Sequence, residues 1–213
     1  MSIYIYFISG LGADRSVFSN LTFPSDYELK YLDWITPIPH ESLEQYACRM
    51  AEGIDTSSPF YLIGLSFGGM LCTEIAKRLK PLHTYIISSI PVCTELPGYY
   101  RVAGTLKLHQ VISLNLAKRS TPLMYKMFGL TTHQEKMVFD QIIANADLPF
   151  VKWALSCILA WKNTIKPENL THIHGTNDHI LPIKYTHPDV VIDGAGHMMI
   201  VSHAEKISEI LLS

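Results

Sequence analysis

The chain has 213 residues, a length that a single hydrophobic core can serve. Hydrophobic residues make up 48% and charged residues 17% of it, which excludes intrinsic disorder. A formal net charge of −2 gives no reason to expect nucleic acid or an anionic membrane surface as partner, and no apolar run approaches the ~18 residues of a membrane span.

The first element is Ile3-Tyr4-Ile5-Tyr6-Phe7-Ile8, a β-prone run without a basic flank or a small-residue cleavage pattern. It reads as a core strand, not a signal peptide. It ends in Ser9-Gly10-Leu11-Gly12, a glycine-rich turn able to aim a backbone N–H at a developing oxyanion; Leu11 is the expected donor. A short helix is expected over Asp14 to Leu21 and a second strand over Tyr27 to Leu32; Pro37 and Pro39 mark a loop. Leu43, Tyr46, Ala47, Met50 and Ile54 recur at helical spacing, and Ser42-Leu43-Glu44-Gln45 is a capping-box sequence, so a helix is expected over Glu41 to Ile54.

The strand Phe60 to Ile63 runs into Gly64-Leu65-Ser66-Phe67-Gly68, a G-x-S-x-G turn before a helix expected over 67–80 and closed by Pro81. A serine at the tip of so tight a turn holds a strained backbone. Glycines two residues either side remove the collisions, so the Ser66 hydroxyl stands out beside a helix N-terminus. The Phe67 N–H is the second expected oxyanion donor. After a strand at His83 to Ile87, residues 94 to about 165 show no convincing strand. Helices are expected there near 104–118, 121–128, 133–145 and 150–162, with Thr132-His133-Gln134-Glu135 starting one and Pro149 in the first turn of another.

Strands return near 170–174 and 189–192. The first leads to Asp178, the second to Asp193-Gly194-Ala195-Gly196-His197, a turn that delivers a histidine just before a helix starting at Ser202-His203-Ala204-Glu205. A serine nucleophile needs a base, and the base needs an orienter. His197 and Asp178 are the candidates, in the chain order Ser66, Asp178, His197. Rivals are His203 for the base and Asp193, Asp189 and Glu95 for the acid. His172, His174 and His179 hint at a metal, but no cysteine or carboxylate completes a recognisable ligand spacing, and no metal is expected.

Ser9-Gly10-Leu11-Gly12, Gly64-Leu65-Ser66-Phe67-Gly68-Gly69, His174-Gly175-Thr176-Asn177-Asp178 and Gly194-Ala195-Gly196-His197 occur in the order seen in the α/β-hydrolase superfamily. The chain resembles its small esterase-like members over nearly its whole length. One departure is that the first turn usually begins His-Gly and here begins Ser9-Gly10. The resemblance implies an α/β fold: a mostly parallel six-stranded sheet with helices on both faces (residues 1–93 and 166–213) and an inserted helical cap (residues 94–165) within one folding unit. Met124, Met127, Phe128, Trp153 and Trp161 are the expected apolar wall of the acyl site.

The expected reaction is hydrolysis of a small carboxylic ester, or of a thioester or lactone, through an acyl-enzyme and without a cofactor. The same fold hosts lyases, some in menaquinone synthesis, for which Arg15, Lys118 and Arg119 are the only cationic hints. It also hosts receptors that keep the triad but turn over slowly. The expected partner is a small acyl substrate, with no nucleic acid or membrane, and the expected state a monomer or homodimer. Cys48, Cys72, Cys93 and Cys157 are dispersed, which fits free thiols and a cytoplasmic location.

Overall fold

A computed structural model describes residues 3–105 and 119–211. In chain order it contains β1 (Ile3–Ile8), β2 (Tyr27–Tyr31), α1 (Leu43–Ala51), β3 (Phe60–Leu65), α2 (Phe67–Ala76), β4 (His83–Ile87), α3 (Gly98–Thr105), α4 (Pro122–Met127), α5 (His133–Asn145), α6 (Leu148–Ala160), β5 (Leu170–Gly175), β6 (Val190–Ile192), α7 (Met199–Ser202) and α8 (Ala204–Leu211). The strands form one sheet in the order β2-β1-β3-β4-β5-β6, every pair parallel.

Residue parity along the strands builds two cores. Tyr6 and Ile8 of β1, Phe60 and Leu62 of β3, and Ile86 of β4 face α1, α2 and α6. Ile5, Phe7, Ile63, Leu65, Tyr85 and Ile87 face the opposite way, against α5, α7 and α8. A parallel sheet needs both faces covered because its strands present apolar side chains to each. The central helix α2 is buried from Phe67 to Ile75, which explains its largely apolar sequence; Thr73 and Glu74 are its buried polar residues.

Several boundaries differ from the sequence expectation. The helix expected over 14–21 is a single 3₁₀ turn, Arg15–Phe18, started by the Asp14 side chain. The first long helix begins at Leu43, capped by the Ser42–Gln45 box; Glu41 lies outside it and pairs instead with Arg49. Helix α2 stops at Ala76, before Pro81. The last helix, α8, begins at Ala204, two residues after the expected start at Ser202, and the separate turn α7 precedes it. Ser202 does not cap it, because its hydroxyl donates to Glu135 Oε1 on α5 at 2.7 Å. Of the helix expected over 104–118, residues 106–118 lie outside the described residues. The other three expected helices are present, α5 with the full Thr132–Glu135 capping box and α6 capped by Asp147. No disulfide joins the cysteines; Cys72 and Cys157 are buried. Among the described residues no single helix is long and apolar enough to cross a membrane.

Candidate active site

The chain leaves β1 to one side to make β2 and returns on the other to make β3, so β1 and β3 are neighbours whose successors diverge. At such a reversal the carboxyl ends of parallel strands border an open crevice. Ile8 pairs with Gly64, and the turns that follow, Ser9-Gly10 and Leu65-Ser66, therefore emerge side by side. A Cβ built on Gly10 would lie 3.5 Å from the Ser66 Cβ.

Ser66 has φ 51 and ψ −116, a backbone state that non-glycine residues rarely adopt. Its neighbours hold it there. The Ser66 N–H donates to Ile87 O at 2.9 Å, and the Ser89 hydroxyl donates to Ser66 O at 2.7 Å. A Cβ on Gly64 would fall 2.5 Å from Gly68 O, so the first glycine is required by the elbow itself. A Cβ on Gly68 would fall 2.2 Å from Ile8 O, so the second is required by the approach of α2 to β1.

The Ser66 Oγ lies 2.9 Å from His197 Nε2, and His197 Nδ1 lies 2.6 Å from Asp178 Oδ2. The other Asp178 oxygen accepts the N–H groups of Ile180 and Leu181 at 2.9 and 2.8 Å. Burial pushes the Asp178 carboxyl up. The adjacent His197, its hydrogen bond, His174 and the Leu181 N–H together outweigh burial and hold it below the ordinary carboxylate range. The rivals have other partners. Glu95 is buried, with its carboxyl pushed up by that burial, and its Oε1 lies 3.5 Å from His187 Nδ1. Asp193 accepts from Thr176, Asp189 accepts from the His172 N–H and Lys166, and His203 meets Ser202.

The paired histidines of β5 sit behind the acid. His174 Nε2 donates to Leu181 O at 2.7 Å and lies 3.5 Å from Asp178 Oδ2. That bond leaves His174 Nδ1 as an acceptor, 3.0 Å from His172 Nε2. Both are buried, whereas His179 is exposed. Among the described residues no three His, Cys, Asp or Glu side chains cluster to hold a metal ion.

Burial, and then the neighbouring His174, drive the His172 imidazole down to about 3. The unfolded chain takes a proton there near pH 6.5, whereas the fold refuses it until about pH 3. This contribution is complete above pH 6.5 and is lost as pH falls, at up to about 1.4 kcal/mol per pH unit. The unfolding free energy should therefore decline from pH 6.5 to 4.5, and His172→Gln should flatten that slope by up to one proton. Denaturant titrations at four pH values test this; equal slopes in the two proteins would show that His172 does not carry the difference.

The turn after β1 is closed by the Ala13 N–H donating to Gly10 O at 2.9 Å. The Ser9 hydroxyl, in place of the usual histidine, donates to Ala13 O at 2.8 Å. Trp34 Nε1 donates to the same carbonyl at 2.8 Å, and its ring packs on Phe67 and Phe150. Trp34 lies in a loop without periodicity, so no local pattern marks it. Leu11 is half-buried in this turn. Phe67 is the first residue of α2, where N–H groups have no acceptor within the helix.

The five apolar candidates separate. Trp153 packs edge-on against Phe67 at 6.2 Å. Phe128 packs edge-on against the His197 ring at 5.4 Å. Met124 is half-buried against the core, and Met127 is 38% exposed. Trp161 is buried in the core and donates from Nε1 to Glu74 Oε1 at 2.8 Å. Glu74 lies eight residues along α2 from Ser66, about 12 Å at the helical rise, so this bond ties Trp161 to the packing of α2. Among the cationic candidates, Arg15 pairs with Asp33 at the surface, Arg119 is exposed, and Lys118 lies outside the described residues.

No family model and no curated protein sequence matches the chain. Solved structures match it by fold. A lipase-esterase related protein from Clostridium acetobutylicum superposes with a TM-score of 0.72 at 16% identity, over 99% of this chain and 93% of that one. MenH from S. aureus superposes with a TM-score of 0.69 at 14% identity, over 98% and 91%. An N-acyl homoserine lactone degrading enzyme superposes with a TM-score of 0.68 at 14% identity, over 100% and 93%. The six-stranded parallel sheet, its helices and these neighbours define the class: the chain has the α/β-hydrolase fold.

Proposed function

We propose that this protein is a serine hydrolase that cleaves a small carboxylic ester, or a thioester or lactone, through an acyl-enzyme. The observation that carries the reading is the unbroken hydrogen-bonded chain from the strained Ser66 through His197 to the buried Asp178. In the first step Ser66 Oγ attacks the substrate carbonyl carbon while His197 Nε2 takes its proton. The tetrahedral intermediate collapses, the C–O bond to the alcohol breaks, and His197 returns the proton to the leaving oxygen. In the second step water repeats the attack, with His197 as base, and releases the acid and free Ser66. Asp178, held as the carboxylate, fixes the imidazole tautomer and stabilises the imidazolium. The N–H groups of Leu11 and Phe67 receive the oxyanion. Only side chains, backbone and water enter these steps. Among the matching structures are a lipase-esterase related protein and a lactone-degrading enzyme, which supports the acyl substrate class. The test is turnover of a short-acyl chromogenic ester. Absence of turnover across esters, thioesters and lactones would overturn the reading.

In the same reading the helical segment between β4 and β5 is a cap over the crevice, and its side chains set acyl preference. Met127, at its exposed rim, is the place to enlarge. One methylene in an apolar pocket changes discrimination by ~1–3 kcal/mol. Met127→Trp should therefore shift the kcat/KM optimum along a C2-to-C10 ester series. An unchanged optimum would place the acyl wall in the core loops.

A further inference from the structure

Helix α4 ends in a motif with an unusual position. The Leu130 N–H donates to Tyr125 O and the Gly129 N–H to Lys126 O, and Gly129 has φ +66, so the helix closes with a left-handed glycine. That glycine is pressed into the two loops that carry the acid and the base. A Cβ on Gly129 would lie 2.3 Å from Asn177 O and 2.8 Å from Gly196 Cα, the residues immediately before Asp178 and His197. From the other side, a Cβ on Gly196 would lie 2.4 Å from Gly129 O. Phe128 O accepts the His197 N–H at 2.8 Å, and the Phe128 ring meets the imidazole edge-on at 5.4 Å. Behind it stands Phe139 of α5, 4.5 Å away and fully buried. The acid and base loops also touch each other directly, through the Asn177 N–H donating to Ala195 O at 2.9 Å.

We propose that Phe128 and Gly129 are positioning residues for His197 and Asp178. The end of α4 holds the backbones of both loops, and with them the distances Ser66–His197 and His197–Asp178. The helical segment thus supplies part of the catalytic geometry as well as a wall. This rests on the acyl-transfer reading of Ser66, His197 and Asp178. The physical reason for a large effect is that a displacement of about 1 Å in such a chain can cost ~10²-fold in rate.

Three variants separate the possibilities. Asparagine tolerates a left-handed backbone but still carries the colliding Cβ, so Gly129→Asn isolates the close approach from the helix ending. Gly129→Asn and Gly129→Ala should each lower kcat ~10²-fold on every ester of the C2-to-C10 series, with KM within about threefold. Each should also shift or remove the downfield proton resonance of the His197 Nδ1–H. Phe128→Leu keeps the backbone and should lower kcat several-fold, evenly across acyl lengths. A Gly129→Asn protein with wild-type kcat and an unmoved resonance overturns the proposal. So does a Phe128→Leu loss that grows with acyl length, because it marks a pocket wall. If neither glycine variant folds, the Phe128→Leu series decides. If the wild type hydrolyses no ester, the acyl-transfer reading falls, and the resonance in Gly129→Asn still decides whether this junction holds the histidine.

Discussion

Ser66→Ala should abolish ester hydrolysis and leave the fold intact. The elbow is held by bonds to its backbone, from the Ser66 N–H to Ile87 O and from the Ser89 hydroxyl to Ser66 O, and neither uses the Ser66 side chain. Alanine keeps the Cβ and loses only the hydroxyl that faces His197 Nε2. No acyl-enzyme can then form, and what remains is the assistance of oxyanion donors to attack by water, a residue of catalysis far below the wild-type rate. A serine-directed phosphonate should label the wild-type chain once, at Ser66, and leave the variant unlabelled, while circular dichroism and the thermal midpoint stay close to wild type. Label on a second serine, or turnover retained in the variant, would remove Ser66 from its role.

The second large effect is expected at the acid. Asp178→Asn should lower kcat by a factor of the order of 10⁴, about 5.5 kcal/mol of transition-state stabilisation. The amide keeps the size of the carboxyl but presents the wrong hydrogen-bonding partner to His197 Nδ1, so the imidazole is held in the tautomer that cannot take the serine proton. His197→Ala should lose nearly as much as Ser66→Ala, and the double variant little more, because the three groups act as one unit. Glu95→Gln is the informative comparison. That carboxyl is buried beyond the end of β4 but faces His187, so its loss should leave the rate within about twofold. A mild Asp178→Asn beside a severe Glu95→Gln, measured with the same ester, would move the acid to Glu95.

Some of this architecture is legible because it is written locally. The run Ile3 to Ile8 is β-prone, and it is followed by a turn that needs glycine. Gly64 and Gly68 frame a serine whose backbone is strained, at φ 51, in a way that larger flanking residues would forbid. The boxes Ser42–Gln45 and Thr132–Glu135 start helices as their spacing says, since each satisfies two N–H groups within four residues. Asp178 and His197 stand out for the same reason: each sits on a short turn at the end of a strand, and the strand order does the rest.

Other features arise from contacts between segments distant in the chain. Ser202-His203-Ala204-Glu205 has the letters of a helix start, yet Glu135 of α5, 67 residues away, takes the serine hydroxyl and the helix begins only at Ala204. Trp161 has an apolar helical pattern, and only the fold shows that Glu74, 87 residues away, accepts its indole N–H. Trp34 carries no pattern at all, but its indole reaches Ala13 O across 21 residues and backs the turn after β1. Gly129 stands directly after the helix expected over 121–128; that it wedges between the loops of Asp178 and His197 follows from packing across 48 residues or more. Strands, turns and caps follow from neighbours in sequence, because their hydrogen bonds close within a few residues. Which side chain meets which across the crevice depends on how the sheet brings its edges and helices together, and no local pattern encodes that.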